Sequence, residues 1–453
     1  MTKVVVVGGG IAGLTAANQL AGAGVDVTLI DAAREVGGKL RVSEVGGIAV
    51  DEGAEAFLRR RPEALDLVAE LGLTEDLVVP VTASASVWAR GALRPMPART
   101  VMGVPSDPSS LRGVLSAPEV ARVRVDAWLP GAAPDGDVSV GGWLAKRLGR
   151  AVVERLVDPM LGGVYAGRAD ELSLAATLPQ LPRDDRSALS AARRAFAAAP
   201  PSGEPVFATL PAGLGTIPEL LVASIGKHGG RVITGRAVRE LERAPAGFRV
   251  VHGATIDQQV IDADAVIVAV PASPAARLLS SVVPAAAAEL GGVESASMAI
   301  VTTAWRAVDA NASGSGYLVP AVAGRPVKAV TFSSAKWAHL AGDVVIVRCS
   351  IGRFGDITDL QRDDSELVAA AVAELTTYAG FTGTPIDARV SRWGGALPQY
   401  AVGHRERVAR IRAAVETVPG LAVCGAAYDG VGVPACISTA RLAVQQIADR
   451  LTP

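Results

Sequence analysis

The chain has 453 residues, 50% hydrophobic and 20% charged, with a formal net charge of −1. That length supports a large core and two or three domains. The charge balance argues against nucleic acid or an anionic membrane as the main partner. Arginine far outnumbers lysine, and Lys3, Lys39, Lys146, Lys227, Lys328 and Lys336 are the only lysines.

Residues 4–20, VVVVGGGIAGLTAANQL, read as a buried parallel strand, a glycine loop and an Ala/Leu-rich helix. Gly8, Gly10 and Gly13 fall in G-x-G-x-x-G spacing. One glycine makes the tight turn, one lets the backbone approach a pyrophosphate, and one lets helix and strand pack closely. The free N–H groups at the helix start then face phosphates. Leu14 stands where a phosphate loop needs lysine, and no G-x-S-x-G elbow joins a strand to a helix, which sets aside both of those chemistries.

Residues 25–32, VDVTLIDA, give a second strand ending at Asp31. An acid there suits a ribose hydroxyl pair; a solvated strand end is the bland reading. A nicotinamide enzyme would continue with another helix and strand. Here Asp31 runs into Arg34, Gly37, Gly38 and Lys39, and a strand at 47–57 leads to Gly53. The second glycine pair implies another close backbone approach, which favours FAD over NAD.

The nucleotide fold resumes only later, so this domain is discontinuous. Residues 229–243 read as strand, turn and strand, and 262–272 as a buried strand closing on Pro271. Residues 420–451 read as a strand, a glycine-rich loop and a final helix, with Pro434 in the first helical turn. Between these pieces, 94–110 read as Pro/Gly-rich loops, 140–161 as helical, and 182–203 as a helix with a loosely held end. Residues 276–400 read as a sheet with one capped helix over 363–380.

Cys349, Cys424 and Cys436 form no C-x-x-C, which suggests reduced thiols and a cytoplasmic protein. His228, His252, His339 and His404 are scattered, so no metal site is expected. No signal peptide or membrane-length apolar run is seen.

Three stretches, RPMPARTVMGVPSD (94–107), LVDPMLGGVYAGRADELS (156–173) and RWGGALPQYAVGH (392–404), together with both FAD ends, resemble the protoporphyrinogen/coproporphyrinogen oxidase family of amine-oxidase-like flavoproteins. The resemblance covers nearly the whole chain. The P-x-x-x-G-V-Y-A-G and W-x-x-x-x-P-Q-Y-x-x-G-H patterns are its specific parts. The family's ribose acid is more often Glu, so Asp31 is a mild departure.

The resemblance implies an α/β fold: a discontinuous Rossmann-like FAD-binding domain (1–75, 206–275 and 401–453), an α+β substrate domain with a mixed sheet (76–95 and 276–400), and a helical covering region (96–205). In some relatives that region touches membranes, but 110–200 hold no strongly apolar helix. The implied FAD contacts are Gly8, Gly10, Ile11, Ala12, Gly13, Asp31, Ala32, Arg34, Gly38, Lys39, Gly53, Ala54, Glu55, Ala56, Val238, Trp393, Gly425, Val431, Gly432 and Val433, with non-covalent binding. Arg60, Tyr165 and Tyr400 are candidate substrate contacts, as are arginines at 59, 61, 90, 94 and 99; His404 reads as a structural histidine.

The implied reaction is oxidation of coproporphyrinogen III to coproporphyrin III in heme biosynthesis, with oxygen reduced to hydrogen peroxide. Hydride passes to flavin N5, so no protein acid–base pair is expected. The implied partners are a porphyrinogen, oxygen and the next pathway enzyme, a ferrochelatase. The alternatives are protoporphyrinogen IX as substrate, an amine oxidase or carotenoid desaturase, and a non-catalytic binder. Cys424 and Cys436 flank the C-terminal loop, where amine oxidases attach flavin covalently.

Overall fold

The structure is a computed structural model describing residues 2–198 and 204–451. A five-stranded parallel sheet lies at one end. Its order is Arg231–Ile233, Asp26–Ile30, Lys3–Val7, Ala265–Val268 and Leu421–Val423. The opening valines explain its centre. Val4 and Val6 join a core cluster with Leu14, Leu29 and Ile437, while Val5 and Val7 join a second cluster with Val266, Val268 and Phe248. A strand buried on both faces needs apolar residues at every position.

The helix Ile11–Gly22 packs on the first face beside the last helix, Val433–Leu451. A three-stranded antiparallel meander, Val238–Ala244, Gly247–Ala254 and Asp257–Ala263, connects Arg231–Ile233 to Ala265–Val268. The nucleotide-type sheet therefore draws on widely separated chain segments, as its discontinuous motifs imply.

The second sheet has seven strands in the order Asp387–Pro398, Ser295–Arg306, Val344–Ile351, Val327–Phe332, Gly316–Leu318, Ala85–Ala89 and Ala92–Pro95. It is mixed: Gly316–Leu318 runs parallel to Ala85–Ala89, and the other neighbours are antiparallel. The helix Asp364–Tyr378 covers one face through Leu367, Ala371 and Leu375. Its N-terminus carries the expected cap, a box formed by Asp363 and Glu366.

The helical region packs on the other face around Leu144, Leu156, Leu161 and Leu174, with Leu318 and Val87 of the sheet. A buried ion pair, Arg147–Asp126 at 2.6 Å, staples it together, and Ser187 and the Leu189 N–H complete the carboxylate. Two expectations are refined here. The helical pattern at 140–161 is broken by Gly149, whose φ of 92° ends the helix Val140–Leu148, and by a wide π-turn at Val153–Val157 before the helix Asp158–Tyr165. The stretch 94–110 is not loop alone, because Ala92–Pro95 forms the edge of the seven-stranded sheet and short strands follow at 100–101 and 104–105. A helix is present at Ala188–Ala198; the expected loose end at 199–203 lies outside the described residues.

Candidate active site

A cleft of about 1160 Å³, including its open mouth, lies between the two sheets. Both chain ends build it. Gly8, Gly10, Ile11, Ala12 and Asp31 line it from the first β–α–β unit, and Gly425, Val431, Gly432 and Val433 from the last loop and helix. Gly38, Lys39, Ala54 and Ala56 add a third side. Gly395, Ala396 and Pro398, from the strand Asp387–Pro398, close the end toward the seven-stranded sheet.

The glycines divide into two kinds. A Cβ on Gly13 would stand 1.8 Å from the Gly8 carbonyl oxygen, and one on Gly53 would stand 2.1 Å from the Lys39 carbonyl oxygen. Protein packing demands glycine at both. Gly10 differs. Its φ of −73° and ψ of 174° suit any residue, and a Cβ there meets nothing within 4 Å among the described residues. Gly10 lines the cleft, so the space it leaves belongs to a ligand. No side chain caps the helix that begins after it, so its first N–H groups can receive a pyrophosphate. These features fit a dinucleotide such as FAD.

Asp31 ends its strand at the cleft. Its carboxylate accepts from the Gly9 N–H and, at 2.6 Å, from the Ala33 N–H. Ala32 and Arg34 are exposed beside it. Val238 opens the meander just after Arg236, whose N–H donates to the Asp31 carbonyl at 3.0 Å. Burial lowers the Lys39 ammonium from its ordinary value.

Other candidates stand behind the cleft wall. The Trp393 indole N–H donates to the Glu52 carbonyl at 3.3 Å, and its ring abuts Gly53. Glu55 turns away from the cleft into an ion cluster. It pairs with Lys336 at 2.6 Å and Arg348 at 2.8 Å, accepts from Ser333 Oγ at 3.1 Å, and Arg348 also donates to the Gly53 carbonyl at 2.5 Å. Burial pushes the Glu55 carboxyl up, but the two cations outweigh it and hold it well below the usual range. The loop 53–56 is thereby clamped to the sheet floor.

Tyr400 is buried. Its hydroxyl donates to the Ala426 carbonyl at 2.6 Å, and its ring stacks on His404 at 3.8 Å. His404 Nε2 lies 2.9 Å from the Tyr428 carbonyl, a satisfied structural histidine. The Tyr165 ring lies 5.5 Å from that of Tyr400, and burial pushes its hydroxyl up to about 12. Arg60 is exposed next to the helix Pro62–Glu70, Arg61 pairs with Glu63 at 2.6 Å, and Arg59 reaches the Pro205 carbonyl at 3.4 Å. Arg90, Arg94 and Arg99 are exposed, with Arg99 over the Phe196 ring. None of these six arginines lines the cleft.

Sequence reasoning missed Leu40, Ala269 to Ala272, Ser295, Gly395, Ala396, Pro398, Ala426 and Ala427 as lining residues, and noted Cys436 only as flanking the C-terminal loop. Gly395 and Ala396 lie inside the W-x-x-x-x-P-Q-Y pattern, which was the available signal.

Residues 11–448 match the family model described as flavin containing amine oxidoreductase. The chain belongs to that family. Within the flavin-containing amine oxidoreductases it is 40% identical to the coproporphyrinogen III oxidase of Mycobacterium tuberculosis over 98% of this chain and 97% of that one. It is 32% identical to the coproporphyrinogen III oxidase of Bacillus subtilis over 99% and 98% of the two chains. An Exiguobacterium crystal structure, provisionally a protoporphyrinogen oxidase, superposes with a TM-score of 0.86 at 29% identity over 98% of each chain. The family makes this chain a flavoprotein oxidoreductase whose cofactor is FAD. No helix among the described residues is long and apolar enough to cross a membrane, and they hold no group of residues fit to bind a metal ion.

Proposed function

We propose that this enzyme oxidises coproporphyrinogen III to coproporphyrin III in heme biosynthesis, with oxygen as terminal acceptor and hydrogen peroxide as by-product. The observation that carries the reading is the cleft built from both chain ends, which opens onto the seven-stranded floor at Gly395 and Ala396. Full-length similarity to enzymes named for that substrate supports it.

When bound, FAD supplies a two-electron acceptor that the protein positions against the substrate. The chain's own residues bind and orient. Gly8, Gly10, Ile11 and Ala12 would face the pyrophosphate, Asp31 the ribose, and Val431 to Val433 at the start of the last helix the far end. Gly395, Ala396 and Pro398 would shape the floor beside the reacting carbon.

Non-covalent attachment is part of the proposal. Cys436 lines the cleft, but burial pushes its thiol up to about 11, far from a reactive thiolate. We also assign 1–75, 206–275 and 401–453 to the cofactor domain, 76–95 and 276–400 to the substrate domain, and 96–205 to the cover. The proposed setting is the cytoplasm, with a ferrochelatase receiving the product.

The deciding experiment is kcat/KM of purified enzyme on coproporphyrinogen III and protoporphyrinogen IX in the same detergent. A clear preference for coproporphyrinogen III, with about three peroxides per porphyrin formed, is the expected outcome. Preference for protoporphyrinogen IX overturns the substrate; porphyrin formed in air without peroxide overturns the acceptor.

A further inference from the structure

A second cavity, about 1170 Å³ with its mouth, lies where the strand Val327–Phe332 begins. The helix Asp158–Tyr165, the Gly167–Arg168 loop and the chain following Ile351 close over it. Its lining is charged, and most of those charges are already engaged. Arg362 pairs with Asp359 at 3.0 Å. Arg353 donates to the Arg325 and Val319 carbonyls at 3.0 and 3.1 Å. Arg325 turns its guanidinium away, between the rings of Trp88 and Tyr378 and onto Glu374. Asp158 accepts from the Ala169 N–H at 2.8 Å.

Lys328 differs from the other cations: the Arg325 nitrogens also lack a hydrogen bond but are ion-paired with Glu374, Arg168 is exposed, and Lys328 is buried with neither kind of partner among the described residues. It lines this cavity, is only 5% exposed, and its Nζ has no hydrogen-bond partner among the described residues. Burial, reinforced by Arg353, pushes its ammonium down to about 7. A buried amine without a partner opposes folding, and an apolar side chain would serve the sheet better. An anion arriving from outside the chain would supply the missing partner.

The register says how far that anion stands from the cleft. Ala296 pairs with Leu397 and Met298 with Trp393, which puts them opposite the cleft-lining Gly395 and Ala396. One strand further on, Ala299 pairs with Ile351, and Ile351 in turn pairs with Val327. Lys328 is thus three strands across the floor, about 14 Å at the usual spacing of ~4.8 Å, and two to three residues further along it than Gly395 and Ala396. Only a thin wall intervenes: the Gln399 amide donates to the Tyr165 carbonyl at 2.8 Å, with Pro398 on the cleft side and Gly167 on the cavity side. A tetrapyrrole reacting over Ala396 and lying across the floor carries its propionates that far.

We propose that this cavity is the carboxylate-binding end of the substrate site, where Lys328 Nζ takes a propionate of the porphyrinogen. The inference rests on the porphyrinogen reading above. It also supplies a physical basis for preferring a ring that carries a propionate rather than a vinyl group at the position facing Lys328, because only the carboxylate can form a charge-assisted hydrogen bond there.

The test is equilibrium binding of coproporphyrin III and of its tetramethyl ester to the flavin-loaded enzyme, read by porphyrin fluorescence. Lys328→Met is expected to weaken the free acid about tenfold and leave the ester unchanged, with full flavin content. KM for coproporphyrinogen III should rise at nearly constant kcat, and Lys328→Arg should restore most of the affinity. Lys328→Gln is the second neutral variant should Lys328→Met fold poorly. Equal weakening of acid and ester, or no change in either, overturns the role of Lys328 alone. A wild-type enzyme that binds no coproporphyrin III overturns both this role and the porphyrinogen reading.

Discussion

The cofactor cleft and the Lys328 cavity lie side by side on one floor and are built by opposite means. The cleft is lined by backbone and small residues, and its decisive feature is a missing side chain at Gly10. The cavity is lined by long charged side chains, and its decisive feature is a side chain without a partner. A phosphate or flavin edge is met by N–H groups, which any residue supplies and only the absence of Cβ exposes. A carboxylate at the end of a flexible propionate needs a cation that reaches it.

The largest effects should come from breaking the two kinds of glycine apart. Gly13→Ala forces a Cβ into the Gly8 carbonyl, so a loss on the order of 4 kcal/mol and little folded protein are expected in urea melts. Gly10→Val meets no protein atom within 4 Å among the described residues from its Cβ. It should therefore fold, with flavin absorbance reduced more than tenfold. Full flavin in Gly10→Val would refute the assignment of that loop.

The clamp between the loop 53–56 and the seven-stranded floor comes next. Glu55→Gln leaves Lys336 and Arg348 facing each other at the cluster. The expected loss is about 3 kcal/mol, with weaker flavin retention because the loop 53–56 is released. The folded-state carboxyl is held below its ordinary value, so its stabilisation is complete above pH ~4.3 and is lost as pH falls through the native value. Wild type and Glu55→Gln should thus differ by a constant amount between neutrality and mild acid and converge in strong acid. A gap that widens on acidification contradicts the clamp.

Smaller effects sharpen the contrast. Tyr400→Phe removes the hydroxyl that holds the Ala426 carbonyl and should cost about 1 kcal/mol, with the flavin spectrum shifted because Ala426 lines the cleft. Trp393→Phe loses a 3.3 Å hydrogen bond to Glu52 and should cost roughly 0.5 kcal/mol. If Trp393 touches the flavin rather than only the loop behind it, the spectral change will exceed that of Tyr400→Phe.

The same contrast explains what could be read from the residues alone. The valine strand, the glycine spacing, Asp31 and the final helix are local patterns with local causes, and they fall where their spacing puts them. Residues 276–400 were legible as a sheet, but not the added strands Ala85–Ala89 and Ala92–Pro95 nor the parallel pairing of Gly316–Leu318 with Ala85–Ala89. The Glu55 cluster joins residues more than 270 positions apart, and nothing near Glu55 announces Lys336 or Arg348. Arginines at 59–61, 90, 94 and 99 looked like cavity residues because they follow the 53–57 stretch or stand near plausible cavity edges. The cavity's buried cation, Lys328, sits in an apolar run that reads only as a strand.

A cleft shared by residues 8–12 and 425–436 also sets a timetable. The ribosome delivers the glycine loop long before its facing helix. The edge strand Leu421–Val423 and the helix Val433–Leu451 are needed to close the walls, so no nascent intermediate short of that point can hold the complete cofactor. Pairings this distant in sequence form slowly, and the apolar faces awaiting them stay open to mispairing meanwhile. Flavin capture thus waits for residues about 400 positions beyond the glycine loop. Scarcity of the cofactor would show first as an accumulation of slack, protease-sensitive chains, before any fall in the turnover of those already loaded.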